Sequence, residues 1–132
     1  MEKLSAGTNA INWFEIPVND TARAKKFYET VFAIQMDTQE IRDMEKTFFP
    51  MDRASGMGKV SGALVKGGMF KPSAEGAVVY LNANPAIQVV IDKIEKAGGK
   101  IIMPKTLISK EIGYMAFFTD SEGNCVALHA GN

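Results

Sequence analysis

The sequence predicts an α+β domain built from two β-α-β-β-β (βαβββ) modules. Three observations carry that expectation. The chain reads as one pattern written twice. Two amphipathic helix stripes stand at matching places in the halves. Each half closes on a strand with an Ala-Leu pair, Ala63-Leu64 and Ala127-Leu128. A length of 132 residues suits one domain, and 46% hydrophobic against 23% charged residues is enough for a buried core.

Apolar runs at residues 11–18 and 77–83 predict the first strand of each module. Asn19-Asp20 then offers side-chain oxygens to the free N–H groups of a helix start. Ala24, Phe27, Tyr28 and Val31 recur at i, i+3, i+4 and i+7, as do Ile87, Val90, Ile91 and Ile94. Each set forms one face that packs on a sheet. In the second half Asn84 reads as the cap and Pro85 as the first helical residue, where its missing N–H costs nothing. Gly98-Gly99 ends that helix. Three strands follow in each half, near 36–44, 47–51 and 60–66, and near 100–104, 114–119 and 125–129. The last two are joined by a tight turn at 120–124, whose counterpart at 52–59 is longer and looser. A Gly- and Pro-containing linker at 67–76 separates module 1 (9–66) from module 2 (77–131) within the single domain.

Strand alternation sorts side chains onto two faces. Phe14, Ile16 and Val18 are uniformly apolar and should meet the helix, turning Trp13 and Glu15 to the opposite, concave side. By the same parity Val78, Tyr80 and Asn82, then Cys125, Ala127 and His129, and Ser61, Ala63 and Val65 face the concavity. Apolar walls with a few convergent polar groups suit a small-molecule site. The structural alternatives are plain. Trp13, Tyr80 and Tyr114 are equally core residues, and Cys125 an inert small hydrophobe. Glu15 is equally the partner of Lys105 or Lys66, and His129 near the C-terminus a frayed end.

Fifteen basic and fifteen acidic residues give no net charge and no electrostatic case for nucleic acid or an anionic membrane. One cysteine excludes an internal disulfide and a cysteine-based zinc cluster, and one histidine excludes sites needing several imidazoles. No apolar run approaches the ~18 residues of a membrane-spanning helix. The first residues lack the apolar core of a signal peptide, so the cytoplasm is the expected compartment.

Together these features resemble the vicinal oxygen chelate superfamily, which includes glyoxalase I, bleomycin-resistance proteins and extradiol dioxygenases. The resemblance rests on Trp13-Phe14-Glu15-Ile16-Pro17-Val18, Ala24, Phe27-Tyr28 and Val31-Phe32 in the first half. In the second half it rests on Tyr80-Leu81-Asn82, Gly98-Gly99, Met103-Pro104-Lys105, Gly113-Tyr114, Asp120, Glu122-Gly123-Asn124 and Leu128-His129. It implies paired βαβββ modules whose curved mixed sheets enclose a concave cleft, commonly in a homodimer. Metal-dependent members take ligands from the first and last strands of each module. The aligned positions here hold Trp13, Ala63, Val78 and Ala127, and none of these side chains ligates a metal.

The leading expectation is therefore a metal-independent protein that binds a small molecule in the cleft between the modules, dimeric and without a cofactor. Trp13 and Tyr80 would supply a stacking or cation–π surface and Glu15 a counter-charge. The expected ligand-binding set is Trp13, Glu15, Tyr80, Asn82, Lys105, Tyr114, Cys125 and His129. The alternative is a lyase, isomerase or dioxygenase with no metal or an atypical one (Zn, Ni, Mn or Fe), in which Glu15 is the candidate base. A third option is an interaction module whose cleft a partner protein reads.

Overall fold

The computed structural model describes residues 2–52 and 59–132. The first module comprises β1 (Trp13–Pro17), α1 (Thr21–Phe32), β2 (Asp37–Ile41), β3 (Met44–Phe48) and β4 (Ser61–Lys66). The second comprises β5 (Tyr80–Asn82), α2 (Ile87–Ile94), β6 (Lys100–Ser109), β7 (Gly113–Thr119) and β8 (Cys125–Ala130). Each module forms one four-stranded mixed sheet, in the order β1-β4-β3-β2 and β5-β8-β7-β6. The first and last strands of a module pair in parallel, Glu15 opposite Ala63 and Tyr80 opposite Ala127, and the remaining pairs are antiparallel. Parallel neighbours need a long crossover, and the helix of each module lies within it.

Both helix stripes fall where their spacing places them. Ala24, Phe27, Tyr28 and Val31 are buried on α1, as are Ile87, Val90, Ile91 and Ile94 on α2. They share one core with Ile16, Val18 and Leu64 of the first sheet and Leu81, Phe118, Val126 and Leu128 of the second. Each large apolar side chain so buried contributes about 1.5–3 kcal/mol relative to exposure. Because the core is common, the two modules pack as one unit. Phe27 stacks edge-on to Tyr28 at 5.0 Å between centroids and reaches Phe118 of the other module at 6.0 Å. Gly99 permits this closeness. A Cβ there would lie 2.6 Å from the Thr119 carbonyl oxygen and 2.8 Å from Phe27 Cε1.

Asp20 caps α1 as its side chain predicts, accepting from Arg23 N at 2.9 Å. Three expectations are corrected. α2 begins at Ile87, with Ala86 rather than Asn84 at the cap and with Pro85 outside the helix. The Asn84 Oδ1 accepts instead from Gly131 N at 2.9 Å, and Ile87 N donates to the Asn132 carbonyl at 2.8 Å. The strand expected at 36–44 is half strand and half turn. Arg42 and Asp43, both at positive φ (52° and 65°), form the two-residue connection between Ile41 and Met44. Such a turn usually announces itself with Asn-Gly, and Arg-Asp carries no such signal. The following strand therefore starts at Met44, not residue 47. β6 runs five residues past its expected end, through Pro104. It is the edge strand of its sheet and its register shifts twice between Ile101 and Thr106, which is where proline is tolerated. The expected loop at 52–59 lies mostly outside the described residues.

Candidate functional site

The seam between the modules is tight at one end and open at the other. The tight end is the turn after β7. Asp120 is buried and its carboxylate accepts from the Tyr28 hydroxyl at 2.6 Å, from Glu122 N and Asn124 N at 2.9 Å and from Asn124 Nδ2 at 3.0 Å. Asn124 Nδ2 also donates to the Pro17 carbonyl at 2.7 Å, and Asn124 Oδ1 accepts from Ser73 N at 3.0 Å. Glu122 meets the start of α1. Its carboxylate accepts from Asn19 N, Asp20 N and both Arg23 Nε and Nη2 at 2.7–3.0 Å. Burial raises the pKa of Glu122. The Arg23 guanidinium, the two backbone N–H groups and the Ser121 hydroxyl outweigh that and hold it at about 2. Burial and the neighbouring Asp120 carboxylate push the Tyr28 hydroxyl well above its usual range, so it stays a donor.

The open end lies at the start of β1 and the end of α1. A groove of about 840 Å³ runs between the modules there. Phe14, Phe32 and Phe49 form its wall from the first module, and Val78, Tyr80 and Asn82 its wall from the second. Phe14 and Phe49 rings lie 5.5 Å apart, and Tyr28 meets Phe49 edge-on at 5.6 Å, so the first wall is anchored in the core.

The inner face of each sheet, away from the helices, is dressed differently. On the first, Trp13 Nε1 donates to Glu15 Oε2 at 3.3 Å, and Lys46 Nζ pairs with the same oxygen at 2.8 Å. The Trp13 ring lies 6.0 Å from Phe48. Both contacts cross diagonally over β4, whose Ser61, Ala63 and Val65 are small enough to pass beneath them. On the second, Tyr80 and Phe117 meet edge-on at 5.8 Å, and Ala127 stands opposite both in the ladders. His129 Nε2 bonds the Ile112 carbonyl at 2.7 Å, so the ring is held rather than frayed.

The expected ligand-binding set is thus divided. Trp13 and Glu15 are together, but Glu15 is neutralised by Lys46 and not by Lys105 or Lys66. Tyr80, Asn82 and His129 are together on the second sheet. Cys125 is a free, half-buried thiol that lines a small pocket of about 170 Å³ with Glu15 and the linker residues Lys71, Ser73 and Glu75. Lys105 and Tyr114 join neither group. Tyr114 has the parity of Ala116 and Phe118, so its ring packs toward the core on the helix side, and Lys105 Nζ lies 4.3 Å over it. Sequence reasoning missed Lys46, Phe49 and Phe117. Phe49 was findable from the adjacent Phe48-Phe49 pair, one ring for each face. Lys46 depended on the register across β4, which no local pattern supplies.

The residues present do not fit a divalent metal. At the positions the superfamily uses, Ala63 and Ala127 are fully buried methyl groups, Trp13 presents an indole and Val78 an isopropyl group. Among the described residues, no three His, Cys, Asp or Glu side chains gather as a ligand set.

Comparison with known proteins follows these features. Residues 11–49 match the family model "Bleomycin resistance protein-like N-terminal". The chain is 29% identical over 124 residues to a protein of Mycobacterium bovis named "Putative glyoxylase CFP32", covering 92% of this chain and 45% of that protein. The chain thus spans about half the length of the curated relatives it matches. Among solved structures, a glyoxalase/bleomycin resistance protein from Albidiferax ferrireducens superposes with a TM-score of 0.67 at 16% identity, over 91% of this chain and 97% of that one. One from a Streptomyces species gives 0.66 at 21% identity, over 89% and 96%. The match over residues 11–49 and the curated relative liken the chain to bleomycin-resistance and glyoxalase-type proteins, and the solved structures show that it has the glyoxalase/bleomycin-resistance fold.

Proposed function

We propose that this protein binds an uncharged or weakly polar small molecule in the inter-module groove, without a metal, and that it does so as a cytoplasmic homodimer. The observation that carries the reading is the groove itself. Its floor is aromatic and aliphatic, both modules line it, and Asn82 supplies a polar contact at its margin. The non-ligating side chains at Trp13, Ala63, Val78 and Ala127 support the metal-independent part. Among the described residues no helix is long and apolar enough to cross a membrane. Exposed Ile11, Val60, Val78 and Tyr80 at the rim support association with a second copy.

A thermal-shift screen of neutral aromatic compounds, with cationic and thiol-conjugated compounds as the charged comparison, tests the reading. A compound at 100 times its dissociation constant adds about 2.7 kcal/mol of stability. The shift should fall by about half in Val78→Asn, the result of about tenfold weaker binding, and persist in Lys96→Ala, an exposed residue that does not line the groove. Equal loss in both removes the groove assignment. Tight stoichiometric uptake of Zn, Ni, Mn or Fe by protein purified without metal overturns the metal-independent part. The enzymatic alternative has less support, because the Glu15 carboxylate already accepts from Lys46 and Trp13.

A further inference from the structure

Tyr80 and Asn82 stand on the strand that separates the groove from a second cavity, of about 470 Å³, on the inner face of the second sheet. Asn84, Ile112, Met115 and His129 also line it. None of its lining side chains is Asp, Glu, Lys or Arg. A charged group in it would meet no counter-charge, although Tyr80 and Ile112 on its wall are exposed and water reaches it.

The two polar groups at its base are fixed and incompletely used. The Ile112 carbonyl can only accept, so His129 Nε2 carries the proton in their 2.7 Å bond. In the neutral ring Nδ1 is then an acceptor, and it has no partner among the described residues. Asn82 is oriented just as firmly. Its Oδ1 accepts from Asn84 N at 2.9 Å and from Asn84 Nδ2 at 2.8 Å. A backbone N–H settles which end of the amide is oxygen, and the Asn82 Nδ2 donors have no partner among the described residues. Asn82 and His129 are register partners in neighbouring strands, so a donor and an acceptor stand side by side on one face.

We propose that this cavity recognises the neutral carboxamide or lactam head of a ligand. The head's carbonyl accepts from Asn82 Nδ2, its N–H donates to His129 Nδ1, and its ring or chain lies against Tyr80 and Met115. This extends the small-molecule reading and rests on it, but it uses the neighbouring cavity, which shares Tyr80, Leu81 and Asn82 with the groove and alone contains Met115 and His129.

The chain has one histidine, so its imidazole signals report this cavity alone. The test titrates the protein with benzamide and with benzoate, which share size and shape but differ in charge and donor. Benzamide should shift the His129 ring resonances saturably, and benzoate should bind at least tenfold more weakly. Asn82→Leu, followed by the His129 resonances, and His129→Gln, followed by calorimetric titration, should each weaken benzamide at least tenfold, while Val78→Asn leaves it unchanged. Two different variants guard against one that fails to fold, and their far-ultraviolet spectra check that. Benzoate binding as tightly as benzamide overturns the neutral-head assignment. No shift with benzamide, or unchanged affinity in both variants, overturns the site. A naphthalene probe lost in Val78→Asn while benzamide is retained separates the groove from this cavity. The two readings can therefore fail independently.

Discussion

The two ends of the seam between the modules meet the same strand, β1, and the same helix, α1, yet they are built on opposite principles. At the tight end, Asp120, Glu122 and Asn124 form a network in which every polar group has a partner, and it ties Tyr28, Pro17 and the start of α1 to the second module. At the open end, aromatic and aliphatic side chains face one another across about 840 Å³ and hold few polar groups between them. The contrast separates two tasks. Buried polar networks fix relative position, since each partner lost is costly. Apolar gaps leave contact surface available to a guest.

The strongest way to break the comparison is Asp120→Ala. It leaves the Tyr28 hydroxyl, two backbone N–H groups and the Asn124 amide without their acceptor. The expected loss is about 3–5 kcal/mol in urea unfolding. The single tryptophan, Trp13, reports the first module and the single histidine, His129, the second. Their transitions should coincide in the unaltered protein and separate in the variant. Coincident transitions at an unchanged midpoint would show that the network does not couple the modules.

Acid tests the same end more gently. Glu122 has a pKa of about 2 when folded against a model value of 4.5. A depressed folded value stabilises the fold above the unfolded pKa and is lost as pH falls from about 4.5 to about 2. Solvent screening at the half-exposed Arg23 reduces the amount to about 1–2 kcal/mol. Glu122→Gln should flatten that part of the stability–pH curve. An unaltered acid slope in the variant assigns the effect to another carboxylate.

At the open end, Val78→Asn should change stability by less than about 0.5 kcal/mol, because the side chain is 41% exposed. A groove ligand should nevertheless bind about tenfold more weakly, the effect of about 1.4 kcal/mol. A large stability change would mean that Val78 belongs to the core and not to a receptive surface. The smallest effect is expected on the first inner face. Glu15→Gln removes a partly solvated ion pair worth about 0.2–1 kcal/mol and should leave groove binding intact. A large loss of binding there would move the site onto that face.

The sequence made the repeated βαβββ plan, both helix stripes and the strand faces legible, because periodicity is local and survives in a single chain. Trp13, Glu15, Tyr80, Asn82 and His129 all lie on the face that alternation assigns them. What alternation does not encode is which residues meet across strands. Lys46 reaches Glu15 only because β3 and β1 flank β4 at a particular register. Tyr114 was legible in principle, since Ala116 and Phe118 share its parity and both are buried. The Arg42-Asp43 turn was not, because neither residue is the asparagine or glycine that a positive φ favours, and the displaced start of α2 was not, because Ile87 N donates to Asn132, distant in sequence.

Ala127 carries one more consequence. Its methyl group fills the floor between Tyr80 and Phe117, and the rings close over it because nothing larger stands there. A glutamate placed at 127 would not find a vacant coordination sphere. It would have to part the two rings and lodge a carboxylate in the volume they occupy. An aromatic cover thus stands where the resemblance would expect a metal ligand, and the obstacle to a carboxylate there is steric as well as chemical.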